Sequence, residues 1–155
     1  MHPTVARVGR ALEQAGAQGT PRKLAEPAPT AATAAAQLGC AVGAIANSLV
    51  FVADGSPLLV LTSGAHRVDT AWVGRLVGAT SVRRADADFV RIHTGFAIGG
   101  VAPVGHPEAV KTLVDTWLAK YDVVWAAAGH PYWVFPTTFE ELVRISGGSV
   151  ADVGP

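Results

Sequence analysis

The stretch NSLVFVADGSPLLVLTSG, residues 47–64, constrains the fold more than any other part of the chain. Two apolar runs rich in Val and Leu flank Asp54-Gly55-Ser56-Pro57. Asp-Gly is a favoured pair for a tight hairpin turn, because such a turn requires positive backbone φ. Each run is long enough for a buried strand and far too short to cross a membrane. A buried antiparallel hairpin is therefore expected. One amide, Asn47, stands where the first run begins, either as a cap on the strand or as part of a site.

The flanking segments alternate between helix and strand signals. TVARVGRALEQAG sets Val5, Val8, Leu12 and Ala15 at helical spacing before Gly16. The proline-rich TPRKLAEPAPT reads as an extended connector or edge strand. TAATAAAQLGC is a helix that Thr30 caps and Gly39 closes. Beyond the hairpin, VDTAWVGRLVG is a helix with Asp69 as its cap, ATSVRRA a short strand, and Asp86–Gly95 a capped helix. AVKTLVDTWLAKY mixes a strand with a helical turn, and DVVWAAAG is a buried strand. The closing helix, TTFEELVRISGG, offers Thr137 with Glu140, or Thr138 with Glu141, as a capping box, and Gly147 as its stop. Interspersed helices and strands with one clear hairpin predict a mixed α/β domain spanning residues 1–155, without the strict alternation of a doubly wound sheet.

Bulk composition excludes several function classes. Half of the 155 residues are hydrophobic, 15% are charged, and 12 basic residues balance 12 acidic ones. Such a chain can bury a real core. It has no global positive field with which to hold a DNA duplex, so a nucleic acid must be met locally, by a pocket. Cys40 stands alone, which rules out an internal disulfide, and no Cys/His spacing suits zinc. The N-terminus lacks the apolar core of a signal peptide. A soluble cytoplasmic protein without a metal or cofactor is expected.

Chemistry has few candidate locations. GFAIGGVAPVGHP, Gly95–Pro107, combines glycines and prolines. Its backbone N–H groups suit an anion cradle or oxyanion hole, although glycine content alone favours a purely structural loop. It carries neither a P-loop nor a dinucleotide fingerprint. In TSGAHRVD, Ser63, His66 and Arg67 can line a pocket mouth, or the segment only leads into the Asp69-capped helix. His106 and His130 stand in loop-like sequence, where a histidine serves as acid, base or hydrogen-bond donor, or is simply exposed. Cys40 reads as buried filler, and Trp72, Trp117, Trp125 and Trp133 as core residues. No Gly-x-Ser-x-Gly elbow occurs.

Taken in order, TAATAAAQLGC, IANSLVF, LVLTSGAHRVD, RRADADFVRIHTGFAIGGVAPVGHP, VDTWLAKYDVVWAAAG and ELVRISGGSVADV resemble the YbaK family. These are free-standing aminoacyl-tRNA deacylases related to the editing domain inserted in bacterial prolyl-tRNA synthetases. The family's Gly-x-x-x-Pro element matches Gly99 to Pro103. The resemblance implies a mixed, partly barrel-like sheet surrounded by helices, with no metal and no covalent nucleophile. It implies hydrolysis of the ester between a small, wrong amino acid and the terminal adenosine of a tRNA of the proline class. The Gly99–Pro103 backbone would hold the aminoacyl carbonyl, and water would attack with help from the adenosine's own hydroxyl. Asn47, Gly99, Gly100 and Pro103 are the implied catalytic positions. Thr30, Ser63, His66, Arg67, His106, Gly129 and His130 are candidate substrate contacts. The partner implied is a tRNA acceptor end, with a synthetase as a second candidate and no membrane or DNA.

One position departs from the family pattern. Ile-x-Lys-Ser-Leu becomes Ile45-Ala46-Asn47-Ser48-Leu49, so an uncharged, shorter amide replaces a lysine. Two readings follow from this. Either the protein is a deacylase of altered specificity, or it is a catalytically weak paralogue that binds aminoacyl-tRNA, a synthetase or a small ligand.

Overall fold

The computed structural model describes residues 2–155. Five helices and eight strands run in the order α1 (Pro3–Gln14), β1 (Arg22–Lys23), α2 (Ala31–Leu38), β2 (Ile45–Ala53), β3 (Ser56–Ser63), α3 (Thr70–Val77), β4 (Val82–Arg84), α4 (Ala87–Thr94), β5 (Lys111–Asp115), β6 (Val124–His130), β7 (Trp133–Thr137), α5 (Phe139–Ser146) and β8 (Ser149–Ala151). Short 3₁₀ turns lead into β2 (Val42–Ala44) and follow β5 (Thr116–Lys120).

The expected hairpin is β2–β3. Ala53 pairs with Ser56, so Asp54 and Gly55 alone make the turn, at φ 47° and 86°. Positive φ at both central residues is the type I′ geometry that matches strand twist. The Asp54 carboxylate also accepts the N–H groups of Thr80 and Ser81, tying the turn to the approach to β4 and holding that carboxyl below its ordinary pKa. Four helices start on an expected side-chain cap, at Thr30, Asp69, Asp86 and Thr138, and each ends on a left-handed glycine.

The hairpin forms the middle of one mixed sheet in the order β1-β7-β6-β2-β3-β5-β8, with β4 added on β2. β2–β6, β3–β5 and β5–β8 are parallel pairs, while β2–β3, β6–β7, β2–β4 and β1–β7 are antiparallel. Period-two alternation sends the hairpin side chains to two cores. Val50, Leu59 and Leu61 join α1, α4 and α5 residues on one face. Phe51, Leu58 and Val60 pack with Val73 of α3 and Val153 on the other. The proline-rich connector does supply an edge strand, β1.

Three local expectations are corrected. β7 and β8 are strands that the sequence signals did not mark. The α5 capping box is half made: Thr138 Oγ1 accepts the Glu141 N–H, but the Glu141 carboxylate accepts from Thr137 Oγ1 (2.7 Å) and the Gln18 N–H (3.1 Å) instead of closing back. The reciprocal box forms at α2, between Thr30 and Thr33. His130 ends strand β6 and is not a loop residue.

Candidate active-site cleft

Two parallel strands that separate create the site. β2 and β6 pair only through Ile45 with Trp125 and Ala46 with Ala126, after which they diverge. β2 regains a neighbour on that side at Val50, whose carbonyl accepts the Ala85 N–H, and at Phe51, opposite the last residue of β4, Arg84. The Ile45 carbonyl accepts the Gly64 N–H on the β3 side. In that register the backbone N–H and C=O of Ser48 point away from β3, into the split. Splits of this kind between parallel strands are common ligand sites in α/β sheets.

The segment between α4 and β5 fills part of the split. Phe96, Val101, Ala102, Val104 and Val110 are buried in the main core, so this long connection is a packed plug. Arg7 of α1 secures its start: one guanidinium N–H donates to the Gly95 carbonyl (3.1 Å), and the group lies 4.4 Å over the Phe96 ring. At its centre Gly99 holds φ +90°. A Cβ at Gly100 would sit 2.9 Å from the His130 backbone, and one at Gly129 would sit 2.9 Å from the Thr4 carbonyl. Only glycine allows the loop, the β6 bulge and α1 to stack this closely. The Gly100 N–H is spent on the Ala97 carbonyl, whereas the N–H groups of Gly99 and Val101 take no backbone carbonyl among the described residues.

The resulting cleft opens to solvent and spans about 530 Å³ of space, part of it outside the mouth. Thr30, Asn47, Ser48, Gly99, Trp125, His130 and Trp133 line it. Asn47 makes no side-chain hydrogen bond among the described residues. The Tyr132 N–H donates to His130 Nδ1 at 3.2 Å, which puts the proton of the neutral ring on Nε2. Partial burial, with His2 and Lys23 nearby, lowers the His130 pKa from its ordinary value and favours that neutral form. Trp125 and Trp133 are half-buried: each packs against a core cluster, as expected, and each also walls the cleft. The Arg22 guanidinium sits 5.0 Å over the Trp125 ring.

The other candidate residues lie elsewhere. Ser63 and His66 are buried around Asp115. That carboxylate accepts from Thr62 Oγ1 (3.2 Å), the Ser63 N–H (3.0 Å), His66 Nδ1 (2.9 Å) and the Trp117 N–H (3.1 Å). Ser63 Oγ donates to the Gly43 carbonyl at 2.7 Å, and the His66 ring stacks on Trp117 at 3.6 Å. Arg67 is exposed beyond this cluster. Pro103 and His106 face a different hollow, beside α1 and α5. His106 Nε2 donates to the Ala102 carbonyl (2.7 Å), and burial pushes its pKa down. Of the candidates, the structure thus gathers Thr30, Asn47, Gly99 and His130 into the cleft, with Gly100 and Gly129 behind them. Residue patterns missed Ser48, Trp125 and Trp133. A polar residue adjacent to Asn47 was the only available signal for the first. Among the described residues, no three His, Cys, Asp or Glu side chains are grouped to hold a metal ion, and no helix is long and apolar enough to cross a membrane.

Fold and cleft together define a small α/β protein that presents backbone N–H groups, one amide, one neutral imidazole and two indole walls to a ligand. Comparison with known proteins gives that class a family. A family described as an aminoacyl-tRNA editing domain matches residues 25–145, and the chain belongs to it. A crystal structure described as a candidate trans-editing enzyme for prolyl tRNA synthetase superposes with a TM-score of 0.93 at 41% identity, covering 100% of this chain and 99% of that one. The proline–tRNA ligase of Nitratidesulfovibrio vulgaris is 34% identical over 124 residues, which is 74% of this chain but 21% of that enzyme. The ligase of Lactobacillus gasseri is 36% identical over 81 residues, or 52% of this chain and 14% of the ligase. The chain therefore spans about a fifth or less of the ligases it matches.

Proposed function

We propose that residues 1–155 act as one editing domain that hydrolyses the ester of a mischarged tRNA, one carrying a small amino acid on a tRNA of the proline class. The observation that carries this reading is the cleft: Gly99 and Val101 bring backbone N–H groups, unspent among the described residues, beside Asn47 and His130 in a protein of the editing family. The terminal adenosine enters as a single-stranded end, with Trp125 and Trp133 as stacking walls. The aminoacyl carbonyl lies against the glycine backbone, whose N–H groups stabilise the oxyanion that forms as water adds. The ester C–O bond then breaks. The ribose oxygen leaves with a proton, giving free amino acid and tRNA. Neutral His130 donates from Nε2 to the ribose or the acyl oxygen, and Asn47 supplies amide hydrogen bonds where the family pattern has a lysine. The chain is placed in the cytoplasm, where its substrate is made.

A synthetase pocket distinguishes side chains differing by one methylene by only about 1–3 kcal/mol, so a second sieve has work to do. The test is release of amino acid from purified alanyl-, seryl-, threonyl- and cysteinyl-tRNA. Release above the uncatalysed rate from at least one is expected, and none from any would overturn the reading. The uncharged Asn47 favours one alternative, a binder of aminoacyl-tRNA, a synthetase or a small ligand. Asn47→Lys separates the two. A variant that hydrolyses a mischarged tRNA which the natural protein only binds would establish the binder.

A further inference from the structure

Ser48 lies on β2 immediately after Asn47, with its side chain on the face shared by Ala46 and Val50. Its Oγ is buried and has no hydrogen-bond partner among the described residues. Buried hydroxyls without partners are uncommon, because the lost hydration is not recovered. This hydroxyl belongs to the wall between two spaces. Ser48, Gly99 and Val101 line the cleft, and the same three residues line a smaller side chamber. The chamber's other walls are Val50, Val90 and Ala85, with Ile98 and Arg84 at the rim. Ile98 and Arg84 are both exposed, and the Arg84 guanidinium lies 5.8 Å from the Phe51 ring on the other face of β2. Inside, the aliphatic side chains of Val50, Ala85 and Val90 therefore adjoin one unspent hydroxyl.

The chamber adjoins the glycine backbone against which the acyl carbonyl is placed above, so it is where the amino acid's side chain would go. We propose that Ser48 makes this chamber a selector for a small hydroxyl-bearing side chain, with serine preferred over alanine. The inference rests on the deacylase reading. Seryl and alanyl groups differ by one oxygen. Only the seryl hydroxyl pairs with Ser48 Oγ, while an alanyl methyl leaves that group buried and unpaired. A site built to hydrogen-bond a substrate hydroxyl discriminates against the analogue lacking it far better than an apolar wall does.

The experiment compares seryl- and alanyl-tRNA made on the same tRNA. Alongside it, binding of seryl- and alanyl-adenosine carrying a stable amide in place of the ester is followed by the fluorescence of Trp125 and Trp133. The natural protein is expected to favour the seryl form by at least about ten-fold, in kcat/KM and in Kd, and Ser48→Ala to bring both ratios to about one. The loss of a single oxygen leaves the β2 backbone unchanged, and an unaltered thermal transition checks this. Hydrolysis of either tRNA with a ratio near one, or a ratio that Ser48→Ala does not move, overturns the selector and leaves the deacylase standing. Neither hydrolysis nor binding of any seryl or alanyl form overturns both.

Discussion

The Asp115 cluster and the β2–β6 cleft are both polar places in an apolar sheet, and both take residues from the ends of β2 or β3. Around Asp115 the polar groups answer one another. A carboxylate with no exposure accepts four hydrogen bonds, and Ser63 continues the chain to the Gly43 carbonyl. In the cleft they do not. Among the described residues Asn47 has no side-chain partner, Ser48 Oγ is unpaired, and the Gly99 and Val101 N–H groups meet no backbone carbonyl. Satisfied polar groups fix a structure; unsatisfied ones held in place by a packed scaffold are available to a ligand. The contrast separates Ser63 and His66, which sequence alone could assign to a pocket mouth, from Asn47 and His130, which face open space.

The strongest way to break this contrast is to unmake the cluster. Asp115→Ala strands four donors, and a loss of about 3–5 kcal/mol in unfolding free energy is expected, measured by urea titration. The kcat/KM of the folded fraction should change far less. The reverse pattern, with little loss of stability and abolished activity, would move the site to Asp115. Next comes Gly100→Ala. Its methyl meets the His130 backbone at 2.9 Å and must push the loop away. A displacement on the ångström scale costs about a hundred-fold in kcat/KM, with a smaller fractional effect on stability. Equal kinetics in this variant would show that the loop's approach to β6 has no part in the reaction.

How far these regions were legible in sequence follows the range of the interactions. The hairpin, the four caps and their glycine stops are local, and each had its own signal. β7 did not, because Pro136 interrupts its short apolar run. The structure admits it since β1 pairs only with Trp133 and Val134, leaving β7 an edge at Pro136, where a missing N–H is tolerated. β8 is three residues long and exists through parallel pairing with β5, some 36 positions earlier. The cleft was half legible. Asn47 stood out as a polar break in an apolar run, and the Gly99–Pro103 segment by composition. The divergence of β2 from β6 is tertiary, so nothing in DVVWAAAG marked Trp125 as a wall. The same lack separates His130 from His106: both sit beside Gly and Pro, and only the bulge in β6 turns one toward the cleft.

A pH profile sharpens the role of His130 with a smaller effect. Its pKa is lowered below the ordinary 6.5, so the ring is neutral at pH 7 and takes up its proton only in more acid solution. Protonation would set a second N–H on Nδ1 against the Tyr132 N–H that it now accepts. Deacylation should therefore be flat near pH 7 and fall through a midpoint below 6.5, by roughly ten-fold if one donor position is disturbed. The stability linkage has the same sign. Between the folded and ordinary pKa values the unfolded chain binds more protons, so stability rises with pH there. This contribution is complete above 6.5 and lost as pH falls through the folded value. A midpoint above 6.5 would show that substrate, or a carboxylate not now in contact, governs His130.

The smallest expected effect concerns how a chain of zero net charge would hold a polyanion. Basic groups need only be near the cleft, and Arg22 and Lys23 stand on β1 beside Trp133 and Val134, which line it. The Arg22 guanidinium already sits over Trp125, from where it can move onto an entering base or reach its phosphate. Arg22→Ala should raise KM for mischarged tRNA by about three-fold with kcat unchanged, since an exposed cation–π contact is worth only about 0.5–1 kcal/mol. If Arg22 meets a phosphate, the slope of log affinity against log salt should also fall by about one. An unchanged slope with raised KM would assign Arg22 to stacking alone. An unchanged KM would mean that tRNA approaches from the α2 side of the cleft, past Thr30, and that β1 is only the sheet's edge.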